Sequence, residues 1–250
     1  MASFTKWLGA GLGFVTGGPI GAAIGFAVGS FIDGFTEEDI VFEQQEYQQR
    51  RGQQRVNTQS GDFEISLLIL ASIVIKSDGK VDQRELDFVR TQFVGMYGKE
   101  RANSAFKLFK GVMKKDISAR QVCIQIRQHM PHASRLQLLH FLFGIAKSDE
   151  FVSETEVEGI RKIAGYLYIN QHDFESIKAM FYDSSESAYK ILEIEKSSSE
   201  KEIKVAYRKM VKKYHPDKLT DLGKEHLKGA KEKFQQIQDA YEKIKNERGF

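Results

Sequence analysis

The pattern of apolar and polar positions divides the 250-residue chain into four parts. Residues 1–34 contain a long uncharged run, and residues 35–60 are acidic and then rich in glutamine. Residues 61–183 contain two long apolar runs, whereas residues 184–250 carry narrow apolar stripes at helical spacing. The pattern predicts an all-α protein, in which a membrane helix, a polar linker, a helical bundle and a C-terminal helical hairpin follow one another.

The first part is long enough and apolar enough to cross a bilayer. Its run between Lys6 and Asp33 carries no charged residue, and a membrane helix needs about 20 apolar residues. Glycines recur along it at every fourth position, namely Gly9, Gly13, Gly17, Gly21, Gly25 and Gly29. Positions four apart share a helix face, and a face of small residues lets two backbones approach closely. This stripe predicts a homodimer in the membrane.

Two other interpretations of this segment stay open. Residues 27–29 could be the cleavage site of a secretory signal peptide, and a break at residues 17–19 could give an interfacial hairpin. Three arginines follow the segment, Arg50, Arg51 and Arg55, whereas one lysine precedes it. Positive residues favour the cytoplasmic side of a membrane. We therefore predict a single pass with the C-terminal domains in the cytoplasm.

Residues 61–183 contain an internal duplication. Residues 76–78 and 147–149 are both Lys-Ser-Asp, and Arg90 corresponds to Arg161 further along. Each copy begins with an apolar run, residues 65–75 and 136–146, which is hydrophobic nearly all round. Helices of this composition are buried centrally in a protein.

The second helix of each copy begins with a capping box, the reciprocal pair of bonds that satisfies the first free N–H groups of a helix. The first box is Asp82 with Glu85, and the second is Ser153 with Glu156. The two copies therefore predict two related helical hairpins packed as a bundle.

Acidic residues at the turns of these hairpins raise the alternative of a divalent-metal site. The four carboxylates are those of Asp78, Asp82, Asp149 and Glu150. An EF-hand does not fit, because its first and third ligand positions fall on Val74 and Lys76. The pair His129 and His132 has no Cys or acid beside it, which favours a surface loop. We predict no metal and no cofactor.

The duplicated pattern resembles the TerB-like helical domain, which is named after a tellurite-resistance protein. The resemblance implies a binding module linked to metal and membrane-associated stress, without catalysis.

The C-terminal part carries the strongest signal. One apolar stripe consists of Ile203, Tyr207, Met210 and Tyr214, and a second consists of Ala230, Phe234, Ile237, Tyr241 and Ile244. Between them stands His215-Pro216-Asp217, where the proline disfavours the helical conformation of the residue before it. The other faces of the first helix are basic. The sequence predicts a hairpin that presents a basic helix beside a rigid polar turn.

Composition and motifs limit what this hairpin does. The net charge of +3 is too small to argue for nucleic acid, and no aromatic side chain interrupts the basic face to stack on bases. His215 and Asp217 could form an acid–base pair, but no nucleophile elbow, phosphate loop or metal spacing accompanies them. The single Cys123 excludes a disulfide framework. We predict a docking surface for an acidic protein partner, and neither an enzyme nor a nucleic-acid-binding protein.

Residues 206–210, residues 214–218 and the pattern Phe234, Ile237, Ala240 and Tyr241 closely resemble a J-domain. J-domains are co-chaperones of DnaK-type ATPases. The resemblance implies that His215, Pro216 and Asp217 trigger ATP hydrolysis by the chaperone. It assigns chaperone docking to Lys204, Tyr207, Arg208, Lys209 and Lys213.

The order of the parts resembles the membrane-anchored J-domain co-chaperones of bacteria. It implies an inner-membrane protein with a cytoplasmic J-domain, which dimerises through its span and acts in envelope stress signalling. We expect the middle domain to recruit an unknown client or to sense a signal. Two alternatives are a metal- or stress-responsive TerB-like module with an auxiliary J-domain, and an exported protein whose N-terminus is cleaved.

Two features depart from the family pattern. Glu193 stands where the first J-domain helix commonly ends in Gly, which puts the local turn in question. The tether at residues 183–187 is short, which favours a J-domain held against the middle domain.

Overall fold

The chain is described by a computed structural model that covers residues 60–77, 79–114, 117–148, 153–182, 184, 186–215, 217 and 227–250. The predicted membrane segment and nearly all of the linker lie outside these residues. The proposed domain boundaries at 34/35, 60/61 and 183/184 stay a prediction. Among the described residues, none of the helices has the length and apolar character needed to cross a membrane.

The described residues form ten α-helices and no strand, which confirms the all-α prediction. The first seven helices belong to the middle domain. They are α1 (Ser60–Ile75), α2 (Gln83–Tyr97), α3 (Lys99–Met113), α4 (Ala119–His129), α5 (His132–Ala146), α6 (Glu154–Tyr166) and α7 (Gln171–Ala179). The last three form the C-terminal domain. They are α8 (Ser187–Ile191), α9 (Glu200–Lys213) and α10 (Leu227–Arg248).

The two apolar runs of the duplication lie at the centre of the middle domain. Helices α1 and α5 pack against each other, and each also contacts α6. In α5 all but a few side chains are buried, as its nearly uniform apolar composition predicts. Both predicted capping boxes are present, at Asp82 before α2 and at Ser153 before α6.

The histidine pair does not lie in a surface loop, so that prediction is wrong. His129 ends α4 and His132 begins α5, with a break at Met130 and Pro131 between the helices. The side chain of His132 lies 2.9 Å from the Asp173 carboxylate on α7. Asp173 is 41 residues from His132 along the chain, and folding brings it there from a distant helix.

The C-terminal domain packs directly on the middle domain. Helix α8 lies against α7, and the long helix α10 contacts α5. As expected from the short tether, the C-terminal hairpin is held against the bundle and does not stand apart from it.

Candidate functional site

The basic helix α9 begins at a complete capping box. The Ser199 hydroxyl accepts from the backbone N–H of Glu202, and the Glu202 carboxylate accepts from the backbone N–H of Ser199 at 2.7 Å. Its apolar stripe is buried, with Ile203 and Met210 both fully covered. The Tyr207 ring stacks on the Tyr241 ring of α10 with centroids 4.2 Å apart, which fixes the two helices as a hairpin.

Most of the predicted docking cations on α9 face solvent. Lys209 keeps 67% of its side chain exposed, Lys204 keeps 42%, and Arg208 is also exposed. Lys204 pairs with Glu200 on the preceding turn. Tyr207 is half-buried and thus joins the docking face to the hairpin core. The fifth predicted residue, Lys213, keeps only 21% of its side chain exposed.

The polar turn after α9 is presented to solvent. The side chain of His215 is 46% exposed and that of Asp217 is 84% exposed. The backbone N–H of Asp217 donates to His215 Nδ1 at 3.3 Å, and the His215 ring stands edge-on to Phe234 of α10. Pro216 lies outside the described residues. The structure brings His215 and Asp217 together at an accessible tip beside the basic helix.

Lys213 points away from that surface, into the contact between the two domains. Its ammonium group pairs with two carboxylates, those of Asp173 on α7 and Glu193 in the turn after α8. Both are nearly inaccessible, with 1% and 7% of their side chains exposed. The structure thus places Lys213 in the domain contact, although it shares Glu193 as a partner with the exposed Lys209.

Asp173 is the acidic centre of this contact. Burial alone would raise the pKa of the Asp173 carboxyl, but hydrogen bonds from His132 and Lys213, together with their charges, outweigh it and lower the pKa to about 2. The side chain of Asn170 also donates to Asp173 at 3.1 Å. Asp173 is therefore ionised at neutral pH and holds a negative charge beneath the C-terminal domain.

A second lysine of the C-terminal domain is buried in the same contact. Lys233 on α10 is 2% exposed, and its Nζ donates to Gln137 Oε1 on α5 at 3.0 Å. Its Nζ also lies 4.7 Å from the centre of the Tyr214 ring. Burial lowers the pKa of Lys233 to about 7. Nothing in the sequence marks this residue as buried, because one lysine on an amphipathic helix is normally solvated.

Three further hydrogen bonds join the two domains. Ser176 on α7 donates to the carbonyl of Ile191 at 2.8 Å, and Gln236 on α10 donates to the carbonyl of Met180 at 3.3 Å. His140 on α5 bonds the Gln236 amide oxygen at 3.2 Å. Burial lowers the pKa of His140 to about 3, so its ring is neutral. The contact between the domains is therefore rich in polar and charged pairs.

Glu193 takes the conformation that its position requires. Its backbone φ is 58°, the left-handed region in which Gly is usual and other residues are strained. The turn is kept, and the carboxylate bonds Lys209 at 3.3 Å as well as Lys213. These ion pairs are a reason for a glutamate here, because glycine could not make them.

Most of the candidate metal ligands at the acidic turns lie outside the described residues, so the metal alternative there stays untested. Within the described ranges, no group of three or more His, Cys, Asp or Glu is placed to hold a metal ion. The Asp82 carboxylate is bonded by Arg84, which lowers its pKa to about 2. Asp78, Asp149 and Glu150 lie outside the described residues.

Comparisons with known proteins agree with this layout. Three family models match the chain: the DjlA co-chaperone transmembrane domain over residues 1–54, the tellurite resistance protein TerB over residues 64–179, and the DnaJ domain over residues 187–248. No solved structure matches it.

The relatives fall into two groups. The co-chaperone protein DjlA of Legionella pneumophila is 25% identical over 98% of this chain and 95% of its own length. That of Haemophilus influenzae is 26% identical over 98% of both chains. The chaperone protein DnaJ of Mesomycoplasma hyopneumoniae is 54% identical, but over only 24% of this chain and 16% of its own length. The match to DnaJ covers one domain, whereas the matches to the DjlA proteins run through the whole chain.

The basic helix, the exposed His215 and Asp217 and the DnaJ-domain match together define a J-domain protein. Such proteins are co-chaperones that regulate a chaperone ATPase and are not themselves enzymes. With the other two domains in the same order, the chain belongs to the DjlA-type, membrane-anchored J-domain co-chaperones with a TerB-like middle domain. This confirms the resemblance seen in the sequence.

Proposed function

We propose that this protein recruits a DnaK-type chaperone to the bacterial inner membrane and stimulates its ATP hydrolysis there. The observation that carries the proposal is the accessible tip of His215 and Asp217 beside exposed cations on α9. An acidic surface on the chaperone would be attracted to these cations, and opposite charges fix the register of docking. In this arrangement the tip formed by His215 and Asp217, the trigger loop, is the first part to contact the chaperone.

The membrane segment would set where this happens. The arginines after it favour a single pass with the TerB-like domain and the J-domain in the cytoplasm. Anchoring raises the effective concentration of chaperone action near the membrane. We propose that the TerB-like domain binds the client and that the system acts in envelope stress signalling.

The test is single-turnover ATP hydrolysis by a bacterial DnaK-type chaperone, with the full-length protein added in detergent or lipid nanodiscs. We expect the wild-type protein to accelerate hydrolysis. No acceleration by any form of the protein would contradict the proposal.

Reversing two exposed charges should weaken docking. In the double variant Arg208→Glu and Lys209→Glu, we expect the concentration of protein that gives half-maximal stimulation to rise about tenfold, which corresponds to roughly 1.4 kcal/mol of binding free energy. Lys231→Glu is the control, because Lys231 is exposed on α10 and outside the docking set. Equal effects of both changes would show that net charge matters and that the α9 surface does not.

The glycine stripe should make the protein a dimer in the membrane. Replacing Gly13, Gly17, Gly21 and Gly25 by leucine should abolish dimers in a membrane association assay, because the side chains would hold the two backbones apart. Ile20→Leu with Ile24→Leu is the control, since it changes side chains of another face without adding bulk. Dimers that persist in the fourfold variant would exclude this packing.

A further inference from the structure

The arrangement of the two domains bears on how the J-domain is used. Lys213 belongs to the predicted docking set, yet it pairs with Asp173 of the TerB-like domain and with the buried Glu193. A carboxylate of the chaperone cannot reach Lys213 while these two partners surround it. The remaining docking residues on α9 and the trigger loop stay accessible. The TerB-like domain thus covers one edge of the docking surface.

The same contact is built in a way that allows it to open. It combines the apolar packing of α8 on α7 with a small number of hydrogen bonds and ion pairs, and these polar groups can exchange their partners for water when the domains separate. Lys233 loses its hydration there, because only 2% of it is exposed. Polar contacts between domains resemble transient interfaces, and relative motion of the domains is then the usual expectation.

We propose that the TerB-like domain competes with the chaperone for the J-domain. In the closed arrangement Asp173 holds Lys213 and Gln137 holds Lys233, and an acidic chaperone surface docks fully only after this contact opens. The inference rests on the proposed function, since it names the state of the J-domain that the chaperone meets. Under this competition, stimulation of chaperone ATP hydrolysis depends on whatever binds the TerB-like domain and so frees the J-domain.

Two neighbouring glutamines on α10 give a matched pair of variants. Gln236 bonds the Met180 carbonyl and His140 across the contact, whereas Gln235 is exposed and bonds only Asp239 of its own helix among the contacts found. Gln236→Ala should open the contact, and Gln235→Ala should leave it closed. Both variants keep the helix and the docking residues unchanged.

A glycine offers a second way to open it. A Cβ atom at Gly229 would overlap Gln137 Nε2, and Gln137 cannot turn away without giving up its bond to Lys233. Gly229→Leu should therefore displace Gln137, break its bond to Lys233 and so loosen the contact. Leucine also favours a helix more than glycine does, so the variant should not unfold α10.

The first measurement needs no chaperone. The full-length protein in nanodiscs is labelled with an amine-acetylating reagent, and the rates at single lysines are read by mass spectrometry. In the wild type we expect Lys233 and Lys213 to react far more slowly than the exposed Lys231 and Lys209. In Gln236→Ala and Gly229→Leu the rate at Lys233 should rise about fivefold or more, the factor that corresponds to about 1 kcal/mol. A wild-type rate at Lys233 equal to that at Lys231 would overturn the closed arrangement.

The second measurement adds the chaperone and ATP. Docking should raise the labelling rate at Lys233 in the wild type, and the two opened variants should reach half-maximal stimulation at a lower concentration than wild type or Gln235→Ala. Equal stimulation by all four proteins, with Lys233 still protected, would overturn the competition and leave the proposed function standing. No stimulation even by the opened variants would instead refute the proposed function, and the competition with it.

Discussion

Replacing His215 by glutamine should abolish stimulation of chaperone ATP hydrolysis while the protein stays folded. His215 is 46% exposed, and it contacts the Phe234 ring edge-on, the Asp217 backbone N–H and the Asp217 carboxylate, whose Oδ2 lies 3.4 Å from Nδ1. Surface changes away from caps and buried networks usually alter stability by no more than about 0.5 kcal/mol. The loss would therefore report on the trigger loop and not on the fold. Single-turnover hydrolysis and thermal unfolding of the same samples measure the two effects.

His172→Gln is the matched control, because His172 is exposed on α7 and lies outside the docking set. It should stimulate like the wild type. A measurement of affinity for the chaperone should separate docking from triggering. Because His215→Gln keeps the exposed cations of α9, its affinity should fall far less than its stimulation of ATP hydrolysis. Wild-type stimulation by His215→Gln would refute the role assigned to the trigger loop.

The parts of the fold that could be predicted from the sequence are those with a strong local signal. The apolar runs at residues 65–75 and 136–146 end where α1 and α5 end, and the capping boxes at Asp82 and Ser153 mark the starts of the next helices. In each case a run of neighbours along the chain decides the conformation. The hairpin of α9 and α10 follows for the same reason, because its two stripes are clear.

Helices α3 and α4 were not predicted, although both are needed to cover the core. In α4 only Cys123 and Ile126 are fully buried, and most of their neighbours are charged or amide residues. A stripe this narrow is weak evidence for a helix. Burial raises the pKa of the Cys123 thiol to about 12, which fits a packing role.

The contact between the domains could be anticipated only as a consequence of the short tether. Its members come from far apart in the chain: Gln137 and Asp173 from the middle domain, and Lys213 and Lys233 from the J-domain. Nothing local distinguishes Lys233 from the solvated lysines beside it. Lys213 does lie on α9, but the sequence could not show that folding turns its ammonium group towards Asp173.

This contact connects the stability of the TerB-like core to the state of the J-domain. Asp173 stands next to Phe174, whose ring packs on Phe143 in the last turn of α5, with the ring centroids 5.5 Å apart. Phe143 is fully buried and also stacks on Phe181. The position of α7, and with it the carboxylate that holds Lys213, therefore depends on a hydrophobic cluster of the TerB-like domain.

Phe143→Ala should accordingly lower the free energy of unfolding of the TerB-like domain by about 3–5 kcal/mol, because it leaves a cavity among the rings of Phe174 and Phe181. Denaturant unfolding of the full-length protein measures this, with Tyr166→Ala, a partly exposed aromatic on α6, expected to change it by less than about 1 kcal/mol. A loss below about 1 kcal/mol for Phe143→Ala would mean that the cluster can collapse around the cavity.

The same variant should separate the two domains in function. The J-domain has its own buried core at Ile203, Met210, Ile237 and Ile244, so it should still stimulate the chaperone when α7 is loosened. The labelling rate at Lys233 should rise as Asp173 and its neighbours lose their fixed positions. If Phe143→Ala abolishes stimulation, the J-domain needs the TerB-like core in order to stay folded. The TerB-like domain and the chaperone could then not compete for an independently folded J-domain.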